Sequence, residues 1–398
     1  MKPIRSNHSG GPLSNHRVVL LPGFLGFDTL GDFSYFQERV GQTIVDSLAA
    51  ENLHVDLYPL KTVPAGTLAE RQTRLVEQLQ EILRDHPNTR LHLVGHSTGG
   101  LDAELLIRAK RPPQHDNTAS VRSAVASVVT LAAPLAGTAL ARSALARAFA
   151  GRTKFSLPPL PHWRLLFSSK QRRLMQLRSL SAVLASAANL VQSVHTDEAL
   201  LKLIRGFLCS REAGQEYIVS LIMTRALIRD LQPKQVEQYL SQTEADPKLA
   251  HIRRTRFVTV ARHVSDESQS GELFNLLYRT TADESAPSPT TSNALARLQV
   301  DQIPWIGSGA PPRLDHQTND GIVNTLRQLL PVPVGELDAE LARVAAFVIA
   351  DHIDVIGYFP DANNTPIGFL HSGSDFREKQ FIELYKSIAA ELAKSMRD

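Results

Sequence analysis

The sequence predicts an α/β fold with a doubly wound, mostly parallel central sheet, and three observations predict it. Short apolar runs recur at Val18-Val19-Leu20-Leu21, Leu91-His92-Leu93-Val94 and residues 125–131, of the kind that form strands buried on both faces. Segments with apolar residues at helical spacing lie between them. Gly or Pro follows each run, as expected where a strand leaves a sheet. Strands alternating with helices in this way build βαβ units.

The elements follow in order. The first run stops at Pro22-Gly23, and His54-Val55-Asp56-Leu57-Tyr58 alternates toward a second strand. Leu68, Leu75, Leu79 and Ile82 then mark a crossover helix that ends at His86-Pro87. The run at Leu91 enters Gly95-His96-Ser97-Thr98-Gly99-Gly100 and continues with Leu101, Leu105 and Leu106 on one helical face, which reads as strand, sharp turn, helix. The strand over 125–131 closes before Pro134.

From about residue 138 to 251 the pattern changes to Ala, Leu, Arg and Ser in long helical stretches, such as Leu174, Leu177, Leu180 and Leu184. An inserted helical cap is expected over 141–251, between core segments 14–140 and 252–398. Sheet character returns at 256–261 and 344–349. The intervening segments 286–293 and 303–312, rich in Pro, Ser, Thr and Gly, are expected to be loops over the carboxyl edge of the sheet. Phe381, Leu384, Tyr385, Ile388 and Leu392 mark an amphipathic terminal helix.

Composition excludes several classes. The 398 residues, 43% hydrophobic and 21% charged, are those of an ordinary globular chain. With 43 basic against 40 acidic residues the net charge of +3 is too balanced for a nucleic-acid binder. The basic stretch through Lys154, Arg164, Lys170, Arg172, Arg173 and Arg178 reads as a solvated face. One cysteine, Cys209, allows no intramolecular disulfide and no cysteine metal cluster. Residues 1–17 are polar, with no apolar run resembling a signal peptide. A cytoplasmic setting is therefore expected, with secretion open if a leader has been cleaved away. No segment reaches the roughly 18 apolar residues of a membrane span.

The chemistry centres on Gly95-His96-Ser97-Thr98-Gly99, a G-x-S-x-G turn placed between an apolar strand and a helix. There, small residues permit the strained turn that lifts a serine hydroxyl into the open. A serine hydroxyl becomes a nucleophile only when a base takes its proton and an acid orients that base. His352, directly after the apolar run at 344–349, is the expected base, with His371 its competitor. Asp320, in Thr318-Asn319-Asp320-Gly321, is the expected acid, with Asp266 and Asp315 as rivals. Backbone amides of Thr98 and of Phe24, in Pro22-Gly23-Phe24-Leu25-Gly26, are the expected oxyanion donors.

Together, Leu21-Pro22-Gly23-Phe24-Leu25-Gly26, the Ser97 turn, Asn319-Asp320-Gly321-Ile322-Val323 and Asp351-His352-Ile353-Asp354 resemble the ordered motif set of bacterial triacylglycerol lipases and related carboxylesterases. The resemblance implies the α/β-hydrolase fold, a Ser97, Asp320, His352 triad, and an oxyanion hole at Phe24 and Thr98. It also implies cleavage of carboxylic esters of small molecules, lipids or polyesters, with the cap as a lid open to transient contact with a lipid surface. An acyltransferase using the same triad and a non-catalytic binding protein of the same fold are the alternatives. This chain departs from the set at Thr98, where His or Gln is common, and at Pro22, where His is usual. Asp354 resembles a calcium ligand of those lipases, but the glutamine expected a few residues later is absent and Tyr358 stands nearby. No metal and no cofactor is expected.

Overall fold

Side chains alternate across a strand, and the first strand, β1 (His16–Leu21), sends them to two different cores. Val18 and Leu20 pack with helices α1 (Glu38–Ala50) and α6 (Glu378–Arg397). Val19 and Leu21 pack with α2 (Leu68–Asp85) and α3 (Thr98–Arg108). Both faces of the sheet are thus covered, which is why its strands read as continuous apolar runs.

The computed structural model describes residues 2–6, 13–23, 29–30, 33–63, 66–108, 118–142, 227–241, 249, 251–261, 277–279, 281–282, 300–312, 314–315, 317–329, 342–360 and 373–398. Within them β1 joins β2 (Asp56–Pro59), β3 (Arg90–His96), β4 (Val125–Leu131), β5 (Arg253–Val260), β6 (Trp305–Ile306) and β7 (Ala342–Ile349). They form a seven-stranded sheet in the order β2-β1-β3-β4-β5-β7-β6. Every pairing in it is parallel. The strand order and the turn after β3 make this the α/β-hydrolase fold, as the motifs imply. Because all strands run one way, the residues that follow β3, β5 and β7 gather along one edge, where open α/β sheets bind ligands.

Local signals account for the helices. Thr67 caps α2 through a reciprocal pair: its hydroxyl accepts from the Glu70 amide at 3.2 Å, and the Glu70 carboxylate accepts from the Thr67 amide at 2.7 Å. Leu68, Leu75, Leu79 and Ile82 form its buried face, and Pro87 prevents continuation. On α6 the stripe Phe381, Leu384, Tyr385, Ile388 and Leu392 is buried against α1 and the sheet, each large apolar side chain contributing roughly 2 kcal/mol.

The structure adds a strand and a helix and moves several strand boundaries, with the strands read at 256–261 and 344–349 beginning at Arg253 and Ala342. The segment 303–312, expected to be loop throughout, contributes β6, which pairs with Phe347 and Val348 of β7. Trp305 stacks on Phe347 with ring centroids 4.9 Å apart, so one cross-strand aromatic contact fixes a strand too short to show a period. The second strand begins at Asp56 rather than His54. A short helix, α4 (Thr118–Ala124), precedes β4. Of the expected cap, residues 143–226, 242–248 and 250 lie outside the described residues, as do the loop 286–293, the basic stretch and Cys209. The described part includes α5 (Pro233–Ser241), whose Val236 and Leu240 join Leu227 and Leu231 against Leu68, Leu101 and Leu105.

A buried histidine is expected to make this fold sensitive to acid. His92 of β3 is fully buried, with Nδ1 2.8 Å from the Ser127 hydroxyl and Nε2 2.9 Å from Nδ1 of His16. Burial first, then the charges of His16 and Arg90, lower its pKa to about 3. A depressed histidine pKa means that the unfolded chain takes up the proton first. Its contribution to stability is therefore complete above about pH 6.5 and is lost as the pH falls from there toward 3. The melting temperature is expected to be flat above neutrality and to drop across that window. The drop should be shallower in His92→Asn, as differential scanning calorimetry at a series of pH values would show. Parallel profiles for the two proteins would remove His92 as the cause.

Candidate active site

β3 ends at His96 and α3 begins at Thr98, so the chain must turn at Ser97 alone. Ser97 accordingly takes φ of +54°, a left-handed conformation that strains a residue with a Cβ by roughly 1–2 kcal/mol. Glycines allow the crossing. A Cβ on Gly95 would lie 2.5 Å from the Gly100 amide nitrogen, and one on Gly99 would lie 2.2 Å from the Leu21 carbonyl oxygen. The Ser97 amide is tied to the Leu131 carbonyl at 2.9 Å, and its carbonyl accepts from Gly100 at 2.9 Å. Thr98 opens α3, where first-turn amides have no partner within the helix.

The other two expected residues meet directly. His352 follows β7, and its Nδ1 lies 2.9 Å from Oδ2 of Asp320. Its backbone amide also donates to the Asp320 carbonyl at 3.0 Å. A carboxylate only accepts, so Nδ1 carries the proton and Nε2 is left with the lone pair of a base. Asp320 is fully buried, and its charge is met on every side. Oδ1 accepts from the amides of Ile322 at 3.0 Å and Val323 at 2.7 Å. Oδ2 accepts from the Thr259 hydroxyl at 2.5 Å and from Gln328 Nε2 at 3.5 Å.

Ser97 is joined to this pair through its neighbour. The His96 ring lies 4.7 Å from the His352 ring, and His96 Nε2 donates to the His352 carbonyl at 2.9 Å. His96 Nδ1, then unprotonated, accepts from the Tyr35 hydroxyl at 2.8 Å. Burial, then the neighbouring His352, hold the His96 pKa well below the usual histidine range. Burial pushes the Tyr35 phenol upward, which keeps it a donor. A neutral imidazole thus bridges Tyr35 to the turn that carries His352.

Gly23, just after β1, packs against Ser97. A Cβ on Gly23 would lie 2.6 Å from Ser97 Cβ and 2.4 Å from the Tyr35 hydroxyl, so only glycine fits there. Phe24, His371 and Asp266 lie outside the described residues. Asp315 is a turn residue: its Oδ1 accepts from the amides of Gln317 at 2.8 Å and Thr318 at 3.0 Å. Asp354 is buried and fastens the His352 turn, its Oδ2 accepting from the Asp351 amide at 3.0 Å and the Ser374 hydroxyl at 2.6 Å. Among the described residues no group of three or more His, Cys, Asp or Glu is arranged to hold a metal ion. Sequence reasoning missed Thr259, Gln328, Tyr35 and the structural part played by His96; of these only His96 lay inside a motif.

No protein-family model and no curated protein sequence matches the chain. Among solved structures, lipase 1 from Pelosinus fermentans is similar over 96% of this chain and 99% of that one, at 15% identity and a TM-score of 0.48. The Staphylococcus hyicus lipase is similar over 98% of each chain, at 16% identity and a TM-score of 0.47. EstA from Clostridium botulinum is similar over 97% of this chain and 89% of that one, at 17% identity and a TM-score of 0.46. Likeness of this depth assigns no reaction and no residue.

Proposed function

We propose that the protein is a serine hydrolase of carboxylic esters. The reading is supported above all by the His352–Asp320 pair, 2.9 Å apart and buried, set at the sheet edge where the Ser97 turn also lies. Ser97 attacks the ester carbonyl while His352 Nε2 takes its proton and returns it to the leaving alcohol. Asp320 holds the imidazole in the required tautomer and offsets the imidazolium that forms. The oxyanion of the tetrahedral intermediate is met by the Thr98 amide and by an amide of the loop after β1, expected from sequence at Phe24. Water then repeats the cycle on the acyl-enzyme.

The test is covalent. A fluorophosphonate should add one equivalent of label to the Ser97 peptide, read by mass spectrometry, and should abolish turnover of p-nitrophenyl esters in proportion. Rates along an acyl series from acetate to palmitate then separate small-ester from lipid use. Absence of label on Ser97 together with absence of turnover would sink the proposal.

A further inference from the structure

Ser97 directly follows β3, and His352 stands three residues past β7, whereas Asp320 lies in a turn that belongs to no strand of the sheet. The two amides that meet its Oδ1, from Ile322 and Val323, are part of that same turn. They shape the turn without saying where it stands. Oδ2 is held differently. The oxygen that receives His352 Nδ1 at 2.9 Å also receives the hydroxyl of Thr259 at 2.5 Å, and Thr259 is a residue of β5. β5 pairs with β7 so that Thr259 lies opposite Val348, four residues before His352. The ladder between these two strands thus sets the spacing between the hydroxyl and the segment that carries the imidazole.

Thr259 is itself fixed at every polar group. The residue is fully buried, and its branched Cβ restricts χ1. Gln328 lays its side-chain amide along the Thr259 backbone: Oε1 accepts from the Thr259 amide at 2.7 Å, and Nε2 donates to the Thr259 carbonyl at 3.0 Å. Thr325 Oγ1 donates to the same carbonyl at 3.1 Å. The Thr259 hydroxyl has one proton and two acceptors in reach, Gln328 Oε1 at 3.1 Å and Asp320 Oδ2 at 2.5 Å. The charged and nearer acceptor takes it. Satisfying Oδ2 does not demand this contact, because His352 already donates there. Location is what the hydroxyl adds.

We infer that Thr259 is a positioning residue for the acid: its hydroxyl, held on an interior strand by Gln328 and Thr325, fixes Oδ2 of Asp320 where His352 Nδ1 meets it. The inference rests on the ester-hydrolase reading and extends it by one residue. A donor that acts through the aspartate and histidine governs the step in which the imidazole takes the serine proton. Its loss therefore falls on kcat and not on substrate binding.

The experiment measures kcat and KM on p-nitrophenyl acetate, and the rate of fluorophosphonate labelling at Ser97, for the wild type, Thr259→Val, Thr259→Ser, Asp320→Ala and Thr259→Val combined with Asp320→Ala. Valine keeps the branched shape and the strand preference but has no hydroxyl, whereas serine keeps the hydroxyl. Thr259→Val is expected to lower kcat and the labelling rate about tenfold, a part of the about 10⁴ that a misoriented triad histidine costs, with KM within about threefold. Thr259→Ser should return to within about threefold of the wild type. Added to Asp320→Ala, Thr259→Val should change the labelling rate by less than about twofold, since its route to the histidine is already gone. If Thr259→Val fails to melt cooperatively, Thr259→Ala takes its place in the same comparisons. A kcat within about twofold of the wild type, a rise in KM alone, a serine variant as slow as the valine one, or a full further loss on top of Asp320→Ala would overturn the inference, while an active wild type leaves the hydrolase reading intact. A wild type that neither turns over the ester nor takes the label takes down both.

Discussion

Replacing Ser97 with alanine is expected to lower ester turnover at least about 10⁴-fold, to the level of a non-specific background. The size of the effect follows from the division of labour at the sheet edge. His352 and Asp320 hold each other through two hydrogen bonds that do not involve Ser97. Removing the hydroxyl therefore leaves a base with nothing to activate. Alanine also carries a Cβ and meets the same backbone strain at φ +54°, so the fold should keep its stability within about 1 kcal/mol. Kinetics on purified protein, with melting curves alongside, check both halves. Retained turnover with an intact melt would mean that the nucleophile lies elsewhere.

Asp320→Asn should be nearly as damaging to the rate and more damaging to the fold. The carboxylate is acceptor-only and faces donors at both oxygens. An amide must aim its NH₂ at one of two donor sets. Pointed at His352, it favours the wrong imidazole tautomer, an error that costs about 10⁴ in kcat for a serine–histidine–aspartate triad. Pointed at Ile322 and Val323, it leaves buried amides without an acceptor, at about 1–3 kcal/mol. A kcat loss of about 10³ to 10⁴ with a lowered melting temperature is the expected outcome. A loss under about tenfold would hand the acid's role to another carboxylate.

The strands and the Ser97 turn were legible because their signals are local. Apolar runs mark strands buried on both faces, and the crowding around Gly95 and Gly99 is written into adjacent positions. The strand preceding it pointed to His352, and the order serine, aspartate, histidine along the chain to Asp320. What stayed hidden comes from distant positions. Thr259 and Asp320 meet across 61 residues, and Arg71 and Asp102 across 31. Nothing at either end of such a pair announces the other. A threonine in a strand and an arginine on a helix look ordinary until topology places them. The strand at Trp305 was missed for a different reason: two residues cannot display a period.

The order of strands in the sheet also sets an order in time. β1 and β4, the neighbours of β3, both lie before Ala132, so the Ser97 turn can take shape from the first third of the chain. Asp320 and His352 wait for β5 and β7, which a ribosome delivers on the order of tens of seconds later. Ser97 therefore leaves the ribosome well before the proposed base, His352. On the ester-hydrolase reading, a chain cut short of β7 lacks His352 and is expected to turn over no ester.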